Sequence, residues 1–420
     1  MKTRQLAAYG ALGLPLAFAA LPLYVLVPDF YSRQLGLALP VIGSVLFFTR
    51  LLDTLQDPFL GLWVDRLAQR RQLASALKLA MLLLGAGFVT LWQAPGGSPH
   101  LATWLSLSLV TVYLGHSFLN IALMAWGSRL SPNPDDLARA AAWREGCALV
   151  GVILASLLPT VLLQWSSQGM AVFSGLFGLL LMAGVGMLLT QAPPWQISHA
   201  QQRPRWQLGW QDRAISRLLA AFFLNGLASA IAATLSLFFI ADHLAAKPWS
   251  GLFLAIYFLA GAISLPGWVG LSRQIGAAAS WRCAMTLALL AFAGVGMLGP
   301  GDLWAYGLIC LFTGLALGAD LALPPVLLAA RLPASEPMAA WFGVWSLLAK
   351  LTLALAGLLL PLLSYLHYQP GVAGSTSALV WLYGGLPCLC KLLALGLMVE
   401  RATDRQPRPA AAIAETGGTP

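Results

Sequence analysis

Apolar stretches of about 20 residues recur along this chain from end to end, and no other feature limits its folding so strongly. A helix of that length spans the ~30 Å hydrocarbon core of a bilayer. Inside that core every backbone polar group must be satisfied within the protein, so a spanning segment is a helix or part of a closed barrel. Twelve such stretches are predicted, at about 6–28, 38–61, 73–93, 101–126, 140–163, 169–189, 214–241, 249–271, 280–299, 303–330, 340–366 and 376–399. They are continuous and rich in Leu, Ala and Gly, whereas a membrane barrel needs short alternating segments. Only 9% of the 420 residues are charged, against roughly 25% in soluble domains. Mean hydropathy is +0.77. The expected fold class is all-α: a polytopic membrane protein with twelve transmembrane helices.

Loop charges set an expected orientation. With the N-terminus inside, eighteen of the 24 Lys and Arg fall in inside segments, two (Arg33 and Lys247) outside, and four (Arg50, Arg144, Lys350 and Lys391) within spans. That asymmetry predicts cytoplasmic termini in a cell inner membrane. The net charge of +9 is spread over short loops rather than one face, which argues against nucleic acid. The five cysteines lie in or beside apolar segments, so no disulfide framework is expected. The opening MKTRQLAAYGALGLPLAFAALP has the basic start and apolar run of a signal peptide, but the apolar stretch continues to about residue 28. An uncleaved first helix is expected. The longest polar connection, 190–213, separates an expected six-helix bundle at 1–189 from a second at 214–399, followed by a disordered tail at 400–420. Two six-helix halves joined by a basic loop resemble the layout of a major facilitator, whose substrate site lies near the midplane between the halves.

Against this apolar background, FFTRLLDTLQDPFLGLWVDR at 47–66 places Arg50, Asp53 and Asp57 inside the second span. An ionisable side chain near the bilayer centre costs about 2.5–3.5 kcal/mol on insertion scales, so such residues face a cavity or one another. The three share one helical stripe, with the carboxylates ~6 Å apart along the axis. Two acids that close resist joint ionisation unless a cation lies between them. The pattern describes a Na⁺ site of hard oxygen ligands or a proton site; the bland alternative is that Asp57-Pro58 shapes a helix end and Arg50 neutralises Asp53.

Other candidates lie in separate spans. Ser117 and Asn120, one turn apart in span 4, offer uncharged oxygens, and His116 reads as a packing residue or a proton relay. Arg144 and Glu145 open span 5; adjacent residues diverge around a helix, so separate roles are expected, with Arg144 at a substrate or snorkelling to the interface. Lys350 has no acid in its own span and must find a partner across the bundle or in a ligand. Trp341 and Trp345, one turn apart, suit either stacking on a sugar ring or anchoring in lipid. Lys391 is near enough to a span end to snorkel, and Asp320, ahead of a Pro-Pro pair, has no assigned role. No nucleotide-binding loop, metal-ligand spacing or nucleophile–base set is visible. The chain is therefore expected not to be an enzyme, and energy must come from an ion or substrate gradient.

The series Arg50, Asp53, Asp57, Pro58, Gly61, Asp65, Arg66 reads R-x-x-D-x-x-x-D-P-x-x-G-x-x-x-D-R. It resembles span 2 of the glycoside–pentoside–hexuronide cation symporters, the group of the melibiose carrier. The likeness extends to YGALGLPLAFAALPLYVLVPDFY in span 1, to the block ending in WREG, and to Lys350. The resemblance implies that Asp53 and Asp57 coordinate the cation, as metal ligands if it is Na⁺, that Ser117 adds a hydroxyl and Gln56 an amide, and that Arg144 and Tyr24 face substrate. Lys350 would link the two sites. Gly61, Asp65, Arg66, Arg70 and Arg71 also resemble the general facilitator loop after span 2, a structural and gating feature. Two positions depart from the melibiose carrier: Ala17 and Asn120 stand where it has acids for the galactosyl unit.

The function expected is cation-coupled (Na⁺ or H⁺) symport of a sugar or glycoside-like solute by alternating access. Tyr24, Asn120, Arg144, Lys350 and Trp345 are the candidate substrate residues; Arg50, Glu145, Asp65 and Arg66 form a candidate charge network and gate. The alternatives are proton-coupled transport of an amphipathic or lysolipid-like molecule, and a transport-inactive scaffold or receptor. No cofactor beyond the ion is expected. The expected partners are a small-molecule substrate and membrane lipid, with no nucleic acid, around a monomer.

Overall fold

The computed structural model describes residues 1–96, 98–131, 133–165, 169–195, 204–333, 335–368 and 377–399. The expected tail at 400–420 and residues 196–203 of the expected linker lie outside the described residues. Within them the chain is helical, without a strand. In order the helices are α1 (Thr3–Gly10), α2 (Gly13–Asp29), α3 (Leu39–Gln69), α4 (Leu73–Trp92), α5 (Leu101–Gly127), α6 (Pro134–Trp165), α7 (Gly169–Thr190), α8 (Leu208–Gln211), α9 (Arg213–Phe238), α10 (Ser250–Ile275), α11 (Ala277–Ala293), α12 (Leu303–Arg331), α13 (Met338–Gly357), α14 (Leu359–Tyr365), α15 (Ser377–Val380) and α16 (Leu386–Met398).

Among the described residues, nine helical segments are long and apolar enough to cross a membrane. The expected spans outside these nine are the ones on α2, α3 and α6. The first expected span is interrupted at Ala11 and Leu12, and α2 carries Pro22 and Pro28 before a π-helical turn at Phe30–Gln34. Its 17 residues cover about 26 Å at 1.5 Å each. Helix α3 holds Arg50, Asp53 and Asp57, and α6 opens with Asp135, Asp136, Arg139, Arg144 and Glu145.

The hydrophobic core explains which end of the molecule is sealed. One cluster runs through α1–α7 and continues into α9–α16 at the end carrying Met1 and the 190–213 connection, through residues such as Leu218, Val269, Trp281, Leu328 and Met398. A separate cluster fills α9–α16 at the opposite end, with Leu235, Phe239, Phe253, Val295 and Tyr383. The two groups of helices share apolar packing at the linker end and have distinct cores at the far end.

The seam between α3 and α13 is tight because two glycines let backbones touch. A Cβ on Gly61 would lie 2.2 Å from the Ala339 carbonyl oxygen, and one on Gly343 would lie 2.4 Å from that of Asp57. Close backbone approach of this kind is how small residues join helices in lipid. A carboxylate completes the seam. Asp65 accepts the Ala340 N–H at 2.9 Å, satisfying a first-turn donor of α13, whose own N-cap, Pro337, has no capping side chain. Asp65 and Arg66 were expected in a loop; α3 continues to Gln69 and carries both. Arg66 is exposed, and Asp65 is buried with Arg129 Nη2 3.9 Å away.

Glu336, fully buried, closes the same end. It accepts Arg205 Nε at 2.8 Å, the Arg205 backbone N–H at 3.1 Å and Trp341 Nε1 at 3.1 Å. Gly343→Val is expected to part α13 from α3 and expose Ala339, which is completely buried. An Ala339→Cys reporter then reacts several-fold faster with a polar thiol reagent than in the Gly343 background. Gly357→Val, at a position with open space, serves as the control and leaves labelling unchanged.

Candidate functional site

At the middle of the seam the side chain of Lys350 crosses from α13 to α3 and α5. Its ammonium nitrogen lies 2.8 Å from Asp53 Oδ2 and 2.8 Å from Asp57 Oδ2. It also donates to Asp57 Oδ1 at 3.0 Å, to Ser117 Oγ at 2.8 Å and to the Asp53 carbonyl oxygen at 3.2 Å. Five oxygens on two helices thus surround one positive charge. The helix period makes this possible: Asp53 and Asp57 sit one turn apart on α3. Pro58 follows, and without an N–H it cannot bond the Thr54 carbonyl, which loosens the ladder in the turn that offers the Asp53 carbonyl.

The acids are held before any ligand is considered. Ser117 Oγ donates to Asp53 Oδ1 at 2.8 Å and Gln56 Nε2 donates to the same oxygen at 3.1 Å. Asp57 and Ser117 are buried, at 0% and 1% exposure. In so dry a place charges interact far more strongly than in water, and removing one member leaves its partner stranded. One ammonium faces two carboxylates, so the cluster carries a formal charge of −1 when all three are ionised. No group of three or more His, Cys, Asp or Glu suited to a metal is found among the described residues. The donor set here fits a hard monovalent cation instead: two carboxylates, a hydroxyl and a peptide carbonyl.

The other sequence candidates divide. Arg50 is partly buried one turn before Asp53, whose ion pair is with Lys350. Asn120 is partly buried one turn beyond Ser117. The Tyr24 side chain lies outside what is described. His116 Nε2 is 3.1 Å from the Leu16 carbonyl oxygen, a packing contact.

Three expectations need correction. Arg144 and Glu145 do not diverge: the guanidinium folds back, and Nε and Nη2 reach Glu145 Oε1 at 2.9 and 2.5 Å. Trp345 is buried and stacked on Phe222, ring centroids 3.5 Å apart, so its face is not offered to a sugar. Trp341 is buried, bonded to Glu336 and packed by Trp206, so it neither stacks on a ligand nor anchors in lipid. Both indoles serve packing at the linker end.

Lys391, set aside as snorkelling, is buried in the C-terminal helices. Its ammonium donates to Asn225 Oδ1 at 2.6 Å and to Asp320 Oδ2 at 3.3 Å, while Trp281 Nε1 donates to Asp320 Oδ1 at 2.8 Å. The sequence held a signal for this pair: two lone opposite charges in separate apolar runs. Glu336 gave none, because a short loop acid is ordinary until the fold buries it.

A family model described as MFS/sugar transport protein matches residues 6–401. The chain belongs to that family. Among curated relatives, the putative glycoside/cation symporter YagG of Escherichia coli K12 is 25% identical over 167 residues, which is 39% of this chain and 36% of YagG. The matched part therefore spans about a third of that relative. Solved structures agree on the fold. A bacterial homologue of the iron transporter ferroportin in an outward-facing state has a TM-score of 0.74 at 18% identity, over 95% of this chain and 99% of its own. FucP in the outward conformation scores 0.65 at 15% identity over 94% and 97%. The proton:xylose symporter XylE scores 0.63 at 12% identity over 93% and 94%. At these identities the likeness shows the major facilitator fold, and family and fold together point to a transporter rather than an enzyme.

Lys350→Met is expected to lower stability by about 3–5 kcal/mol, because it leaves two buried acids facing each other. Adding Asp57→Asn removes the repulsion, so the double variant loses less than the two single losses combined. Thermal denaturation midpoints of the four proteins measure this, and simple additivity contradicts the cluster as described.

Proposed function

We propose that the protein is a cation-coupled secondary symporter in which Asp53, Asp57 and Ser117 hold the coupling ion, Na⁺ or H⁺, and Lys350 is its tethered substitute. The observation that carries this reading is the ammonium seated among five oxygens contributed by two acids, a serine and a backbone carbonyl. In the empty carrier Lys350 balances one of the two carboxylate charges and holds both acids by hydrogen bonds, so the two six-helix halves can rock. A mobile cation displaces the ammonium. Lys350 then loses its direct contacts with the acids, and closing around an ammonium without those hydrogen bonds costs several kcal/mol. A bound substrate that accepts a hydrogen bond from Lys350 relieves that cost. Ion and substrate must therefore travel together, each raising the other's affinity by the same factor.

The location of the cluster gives it leverage. The Asp57 carbonyl packs against Gly343, so the ion site and the helix seam share residues. With both termini in the cytoplasm and twelve crossings of the inner membrane, the sealed linker end is the cytoplasmic one and the arrangement is outward-facing. Asp65 and Glu336 then serve as the cytoplasmic latch. Asn120, Tyr24 and the Arg144–Glu145 pair stand as substrate-side groups of the N-terminal half. The family description and the glycoside/cation relative favour a sugar or glycoside-like solute.

Uptake into reconstituted vesicles tests the coupling. Asp57→Asn is expected to abolish accumulation driven by an ion gradient while retaining exchange of labelled for unlabelled solute. Accumulation as steep as that of the wild type contradicts the proposed ion site.

A further inference from the structure

A cavity lies away from the Lys350 cluster, among the C-terminal helices. It holds about 300 Å³ between α9, α10, α12 and α16, at the lower edge of the usual range for small-molecule sites. Space comes from small residues on one face of α9, Ala228, Ser229, Ala232 and Ala233. The far wall is aromatic and braced: Tyr306 and Tyr383 share a hydrogen bond of 2.7 Å, and Phe239 stacks on Tyr383 with centroids 4.4 Å apart.

The chemistry of this wall is more apolar than its residue types imply. Ser229, Ser236 and Thr313 each donate to a carbonyl of their own helix, at 3.2, 3.1 and 2.6 Å, and the two tyrosines satisfy each other. A polyol entering here would lose its water and find few partners, at a cost of about 1–3 kcal/mol for each unsatisfied group. The charged side chains lining the cavity are Asp320 and Lys391. They form a neutral pair in which Lys391, an ammonium with three N–H donors, donates to Asn225 and Asp320. Its separation from Asp320, 3.3 Å, is longer than the 2.8 Å at which Lys350 meets its acids.

We propose that this cavity is a second binding site, distinct from the ion site, for a compact amphiphile with an apolar body and a net-neutral dipolar head that docks on the Asp320–Lys391 pair. The charge balance selects the head. A net cation or anion would bring an uncompensated charge beside a neutral pair in an apolar cavity, which is costly. A zwitterion lies antiparallel to the pair, its anionic part accepting from Lys391 and its cationic part facing Asp320. The small face of α9 and the aromatic wall enclose the apolar body.

The test is equilibrium dialysis of four 12-carbon amphiphiles against the protein in lipid nanodiscs, with empty nanodiscs subtracted: dodecyl-dimethylglycine, dodecyl sulfate, dodecyl-trimethylammonium and dodecyl maltoside. The expected result is saturable binding of the zwitterion at least about tenfold tighter than of the other three. Ala232→Trp and, separately, Ser236→Phe fill the cavity and weaken it by about tenfold or more, while Asp320→Asn with Lys391→Met abolishes the preference among heads. Asp57→Asn, which disables the proposed ion site, leaves the zwitterion's affinity within about twofold, so failure of one reading is distinguishable from failure of the other. Equal affinity for all four heads, or full affinity in both filled variants, overturns the proposal.

Discussion

One ammonium group on α13, reaching between two carboxylates on α3, is the interaction on which the rest of this architecture turns. It joins the N-terminal and C-terminal helices through two carboxylates that are themselves buried. It also sits directly above the glycine contacts that seal the linker end. Pairing at this point and packing at the seam are therefore mechanically linked: what happens to the Lys350 charge is felt by the backbone of Gly343 two turns earlier on the same helix.

Two buried lysines in one molecule illustrate how counterion number sets role. Lys350 meets two acids and a hydroxyl, leaving an excess negative charge that a proton or metal cation can balance. Lys391 meets one acid and one amide oxygen, leaving no excess charge. The first environment attracts a cation; the second attracts a dipole. The same residue type in similar apolar runs acquires opposite chemistry from its neighbours across the bundle.

The helical, membrane-spanning character was legible because it follows from composition and run length, which need no tertiary information. The acid pair was equally legible, since a one-turn spacing fixes a shared face whatever surrounds it. The need of Lys350 for a partner across the bundle could also be read from the absence of an acid in its own span. What could not be read was rotation: spacing says that Trp341 and Trp345 share a face but not that this face is buried against Glu336 and Phe222. Lys391 and Asp320 were misjudged or left open for the same reason. Arg144 was misjudged because a long side chain can fold back to its sequence neighbour, which helical-wheel reasoning about Cβ directions ignores.

The central claim is that Lys350 and the coupling cation compete for one set of oxygens, and cation affinity tests it directly. Purified wild type and Lys350→Met would be titrated with Na⁺, and with acid in Na⁺-free buffer, following the carboxylate bands of Asp53 and Asp57 by infrared difference spectroscopy. Removing the tethered competitor is expected to raise affinity for the coupling ion by about tenfold or more. An affinity that is unchanged or weaker without Lys350 would contradict the account.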